Sequence, residues 1–117
     1  MQITDLLKPQ SILLNADPVT KADAIYTLGE LMDKGGHLTD IDKGEYLTAV
    51  FAREESGSTG LGDGIATPHA KSVGVKEAGL AAMVVPNGVD FEALDGQPSR
   101  LFFMIAAPEG AAATHVE

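Results

Sequence analysis

Gly79-Leu80-Ala81-Ala82-Met83-Val84-Val85 carries no polar side chain on either of its alternating faces. A strand with one wet face alternates apolar with polar residues, so a run that is apolar on both faces reads as a strand covered on both sides. Leu101-Phe102-Phe103-Met104-Ile105-Ala106-Ala107 is a second run of this kind. Between the two lie Asn87-Gly88 and Asp95-Gly96, both turn signals, with Val89–Phe91 as a short return strand.

Covered strands need covering layers, and the upstream half supplies them. From Thr20 to Lys34, Ala22, Ile25, Leu28 and Met32 recur every three or four residues, the period of one helix face. Two starts fit: Asp17 capping with Pro18 in the first turn, or Thr20 capping with Asp23 three residues on. Gly35-Gly36 ends the helix. A second helix is expected over 40–54, capped by Thr39 with Asp42 in the box position and striped by Leu47, Val50 and Phe51. Ser11–Leu14 reads as a short strand. Ser56–Gly64 holds four glycines in nine residues and reads as a loop. Helices interleaved with covered strands define an α/β class, a single layered domain.

The 117 residues fit one domain, and 44% apolar with 21% charged residues is a globular balance. Eight Lys and Arg against 17 Asp and Glu leave a net charge of −9. Binding nucleic acid or an anionic membrane requires a basic face, so both are excluded as partners, whereas a basic protein partner is favoured. The chain has no cysteine. That removes disulfides, thiolate metal sites and any thiol nucleophile. The start MQITDLLKPQSILLN lacks the basic and apolar regions of a secretory signal, and the longest apolar run, Leu101–Pro108, is far too short to span a bilayer. A cytoplasmic location is expected.

Histidine is then the natural nucleophile near neutral pH. His69 follows Gly60-Leu61-Gly62-Asp63-Gly64-Ile65-Ala66-Thr67-Pro68. Glycines allow close backbone approach, and exposed N–H groups in such a segment can hold an anion. On pattern alone, an anion-binding nucleophile and a surface histidine both remain open. Arg53 precedes the glycine-rich segment. Its planar fork suits a phosphoryl group, but a cation in a last helical turn also complements the helix dipole, with Glu54 and Glu55 as surface partners. His115 follows Thr114, which reads as the cap of a new helix, and a helix start attracts anions. His37 reads as a surface residue. Asp63 reads as turn chemistry. His69, His115 and Asp63 match no short metal-ligand spacing, so neither a metal nor a cofactor is expected.

Ser58–Ala70 (STGLGDGIATPHA) closely resembles the active-site signature of the fructose/mannitol-type EIIA domains of the bacterial sugar phosphotransferase system. Leu94-Asp95-Gly96-Gln97-Pro98, Leu101–Gly110 (LFFMIAAPEG) and Thr114–Glu117 extend the resemblance, which runs from Ile3 to the end and leans toward the fructose branch. It implies a mixed β-sheet flanked by helices. It also implies that His69 takes a phosphoryl group from HPr on Nε2 and passes it to a cysteine of an EIIB domain during sugar uptake. By the same resemblance Arg53 and His115 help hold the group, with a phosphoryl-binding loop of Thr59, Gly60, Gly62 and Gly64. The nitrogen-type regulatory EIIA proteins are the alternative branch. Residues 1–117 are expected to be an EIIA type-2 domain incomplete at its C-terminus, with an open apolar sheet face that favours self-association.

Overall fold

Thr20 opens the first helix. Its hydroxyl accepts from the Asp23 N–H at 3.1 Å, and Asp23 Oδ2 accepts from the Thr20 N–H at 3.3 Å, a reciprocal capping box. Of the two starts open in the sequence, this is the one the chain uses. The computed structural model describes residues 7–36 and 43–108. They form β1 (Leu7–Leu13), α1 (Lys21–Lys34), α2 (Lys43–Glu55), β2 (Gly60–Gly62), β3 (Ile65–Ala66), β4 (His69–Ser72), β5 (Gly79–Val89) and β6 (Ser99–Pro108). His37, Thr39, Thr114 and His115, with the expectations attached to them, lie outside the described residues.

The sheet order is β1-β5-β6-β3-β2, with β4 also on β6. β5 and β6 run antiparallel at its centre. β1 lies parallel to β5, and β3 and β4 lie parallel to β6. Ile65 pairs with Leu101, Ala66 with Phe102 and His69 with Ile105, a constant offset. β3 and β4 are thus one line of chain on one edge of β6, broken at Thr67-Pro68 because proline has no N–H to give the ladder. The Pro68 carbonyl keeps its place, accepting from the Ile105 N–H at 3.0 Å.

Alternation along the central strands decides which side is the core. Ala81, Met83 and Val85 of β5 and Phe102, Met104 and Ala106 of β6 join Ile25, Leu28 and Met32 of α1 and Tyr46 and Val50 of α2 in one buried cluster. Each of the large side chains there stabilises the fold by about 1.5–3 kcal/mol. Leu80, Val84, Leu101, Phe103 and Ile105 point the other way and are half-buried. Among the described residues the mixed sheet carries both of its helices on one face. Of the covering expected on both sides, the described residues supply the helical layer on one.

Four further readings need correction. Ala22 is exposed, and the inner face of α1 is Ala24, Ile25, Leu28, Leu31 and Met32. Tyr46, missing from the expected stripe of α2, is fully buried. Asn87-Gly88 lies inside β5, where the ladder to β6 shifts register between Val84 and Val89, so the expected return strand at 89–91 does not form. A glycine with positive φ serves a bulge as well as a turn. The glycine-rich segment is a loop only over 56–59; from Gly60 it forms the hairpin β2–β3. Asp63 (φ 55°) and Gly64 (φ 79°) form its two-residue turn, the left-handed pair that matches strand twist.

Candidate functional site

His69 is the first residue of β4, and strand alternation sets its ring on the face away from the helices, with Lys71 two residues on. The ring is half-buried, neither sunk in the core nor fully in solvent. Its Nδ1 lies 2.8 Å from the Thr67 carbonyl oxygen. A carbonyl only accepts, so Nδ1 carries the proton of the neutral ring and Nε2 keeps its lone pair. The contact is local, between the ring and the backbone carbonyl two residues earlier, at the break between β3 and β4.

The backbone under the ring is gripped from three directions. Ile105, the ladder partner of His69, donates its N–H to Pro68 and accepts at its carbonyl from the Tyr46 hydroxyl at 2.7 Å. Burial pushes the Tyr46 phenol well above its ordinary pKa, so it stays a donor. On the other side the Thr67 N–H donates to the Thr59 carbonyl at 3.0 Å.

Arg53 sits in the last turn of α2, exposed, with Nη1 donating to the Gly57 carbonyl at 2.7 Å. The guanidinium is thereby fixed over the turn that leads to Thr59, two residues on, and its remaining N–H groups are available to an anion. Arg53 and His69 are hung from the two ends of one hydrogen-bonded segment, at Gly57 and Thr67, bridged where Thr59 meets Thr67.

The four residues of the expected phosphoryl-binding loop separate. Thr59 and Gly60 stand at the His69 end of the hairpin. Gly62 and Gly64 stand at its turn end, where the Gly64 carbonyl accepts from the Arg100 and Leu101 N–H groups at 2.8 and 2.9 Å. Five residue steps of extended chain lead from Gly64 to His69, about 16 Å. The Thr59 N–H is already given to Glu54 Oε1 at 3.1 Å, its hydroxyl to Glu54 Oε2, and the Gly60 N–H to Ser58 Oγ at 3.0 Å. Gly60 is needed for closeness: a Cβ there would lie 2.8 Å from the Ala93 Cα.

Glu54 is not the surface partner of Arg53 that the sequence suggested. Only 7% of it is exposed, and Lys21 Nζ lies 3.0 Å from its Oε1. Sequence reading missed Glu54, Thr67 and Tyr46. Thr67 was findable, since its carbonyl lies only two residues before the ring; Glu54 and Tyr46 depend on tertiary contacts. Asp63 has the turn role expected of it, and its N–H donates to Asp95 Oδ2 at 3.0 Å. Among the described residues no three His, Asp or Glu side chains stand together to hold a metal ion, and no helix is long and apolar enough to cross a membrane.

Residues 5–117 match the family model described as "Phosphoenolpyruvate-dependent sugar phosphotransferase system, EIIA 2". The chain is 45% identical over 117 residues to the fructose-specific EIIABC component of the phosphotransferase system of Bacillus subtilis, covering all of this chain and 18% of that protein. It is 38% identical over 118 residues to the nitrogen regulatory protein of Bradyrhizobium diazoefficiens, covering all of this chain and 74% of that one. The complex of enzyme IIAMTL and phosphorylated enzyme IIBMTL from Escherichia coli contains a chain superimposing with a TM-score of 0.75 at 32% identity, over 92% of this chain and 76% of that one.

Proposed function

The chain belongs to the EIIA 2 family of the phosphoenolpyruvate-dependent sugar phosphotransferase system, and from that premise we propose that it carries a phosphoryl group on Nε2 of His69, between phospho-HPr and an EIIB cysteine. The observation behind this reading is the Nδ1 hydrogen bond to Thr67, which leaves Nε2 as the basic nitrogen of an accessible ring.

In the loading step the Nε2 lone pair attacks phosphorus. An N–P bond forms as the donor's P–N bond breaks, and the donor imidazole leaves with its electron pair. The Nδ1 proton stays in place throughout, so the positive charge that develops on the ring faces the Thr67 carbonyl dipole. Little covalent chemistry is asked of the protein; alignment and charge stabilisation are the main contributions. Arg53, and His115 by family resemblance, supply cationic or N–H surroundings for the phosphoryl oxygens. In the unloading step a thiolate attacks the same phosphorus; an S–P bond forms as the Nε2–P bond breaks, and the electron pair returns to Nε2 of a neutral ring. The acceptor thiol comes from another domain, since this chain has no cysteine.

Incubation with phosphoenolpyruvate, enzyme I and HPr, followed on a phosphate-affinity gel, tests the assignment. An acid-labile adduct is expected, abolished in His69→Ala and slowed in Arg53→Ala; label on the His69→Ala protein would overturn it. Similarity to the Bradyrhizobium nitrogen regulatory protein across the whole chain favours a second reading, a regulator that binds other proteins according to its phosphorylation. Transfer onward to an EIIB cysteine separates the two, because a regulator retains its label when EIIB is added. The fructose-specific relative supports fructose as the sugar of the first reading.

A further inference from the structure

Glu54 is a carboxylate with both oxygens committed. Oε1 accepts from Lys21 Nζ at 3.0 Å and from the Thr59 N–H at 3.1 Å, and Oε2 accepts from the Thr59 hydroxyl. Its side chain is 4% exposed and that of Lys21 is 18% exposed. Lys21 also lies 4.8 Å over the Phe91 ring and 3.3 Å from Glu92. A carboxylate is put in such a place at a cost, and that cost is offset only when its hydrogen bonds are complete. Here the completing partner is Thr59, fully buried, and Thr59 is one step from the nucleophile's support.

From this geometry we infer that Glu54 is a positioning residue for His69, acting through Thr59 and Thr67. The path is continuous. Glu54 holds the N–H and hydroxyl of Thr59; the Thr59 carbonyl accepts from the Thr67 N–H at 3.0 Å; the Thr67 carbonyl accepts from His69 Nδ1 at 2.8 Å. What Glu54 controls is the direction of the Thr67 carbonyl, and hence which ring nitrogen is protonated. Lys21 balances its charge and ties the start of α1 to the end of α2. The inference rests on the reading of His69 as the phosphoryl carrier, but its physical content, the ring tautomer, is measurable without any phosphoryl donor.

The experiment is a long-range 1H–15N correlation of the His69 ring in the 15N-labelled 117-residue chain, paired with single-turnover loading from phospho-HPr. Wild type should show the Nδ1–H tautomer. Glu54→Gln and Thr59→Val should show a mixture of tautomers and load between about tenfold and a hundredfold more slowly, the range expected for a misplaced reacting group. Thr59→Ser, which keeps the hydroxyl, should restore both. Thr59→Val leaves the Lys21–Glu54 pair intact and decides the matter if Glu54→Gln folds poorly. A wild-type tautomer in both variants overturns the inference, whatever their loading rates. Absence of label on wild-type His69 would instead bring down the carrier reading, while the ring spectra would still decide the role of Glu54.

Discussion

Tyr46 shows how much one side chain can hold. It spans from α2 to the sheet, fills the core with its ring and gives its hydroxyl to the carbonyl of Ile105, directly beside His69 in the ladder. Replacing it with Phe keeps the ring but takes that donor from the half-buried Ile105, so Tyr46→Phe should lower unfolding stability by about 0.5–1.5 kcal/mol in urea at pH 7. The same residue sets an alkaline limit. Burial raises the phenol's pKa in the folded state by disfavouring the phenolate. Above about pH 10 the unfolded chain therefore releases this proton while the folded chain keeps it, and stability falls by up to about 1.4 kcal/mol per pH unit. Urea titrations from pH 9 to 11 should show this slope in wild type and a shallower one in Tyr46→Phe. Tyr46 escaped the sequence reading because its polar tip breaks an apolar stripe; only the fold shows that the tip has a partner.

At the scale of elements, the hairpin β2–β3 sets the site. It is clasped twice to the segment before β6. The Leu94 N–H donates to the Gly60 carbonyl at 3.0 Å, and Asp95 receives the N–H groups of Gln97 and Asp63, each at 3.0 Å. Those two amides, Gln97 first, hold the Asp95 carboxyl below its ordinary pKa. The clasp is therefore complete above the ordinary carboxylate range and is lost as pH falls through the lower folded value. Amide exchange at Asp63 and Gln97 should accelerate below about pH 4, beyond the trend of the other hairpin amides. Gly60→Ala should be costlier, because its Cβ would meet the Ala93 backbone at 2.8 Å and a strand would have to move. A loss of about 1–3 kcal/mol in thermal unfolding is expected, together with slower loading of His69.

The helices were legible because capping and periodicity are local: Thr20, Asp23 and the α1 stripe announce themselves. The hairpin and the bulge at Asn87-Gly88 were not, since glycine marks loop, turn and bulge alike and only long-range pairing chooses among them. His69 and Arg53 could be picked out by residue type and family signature. Thr59 was named for its place in the expected loop, but its contact with Glu54 could not be read, because what matters about that pair is whom they touch.

At the scale of the molecule, the chain carries a net charge of −9, while Arg53 and, on the same strand face as His69, Lys71 are exposed cations. A basic donor would be drawn in by the overall field, so loading from phospho-HPr should slow at least about tenfold between low salt and molar salt. A rate that ignores ionic strength would argue against such steering.

The break at Pro68 has a consequence for traffic. The half-buried ring is moored by the ladder to Ile105 and by its Nδ1 contact with the Thr67 carbonyl. If His69 is the carrier proposed above, a ring so held serves donor and receiver in turn at the same nitrogen. Turnover should then follow ping-pong kinetics, with an excess of cysteine-less receiver acting as a competitive inhibitor of loading.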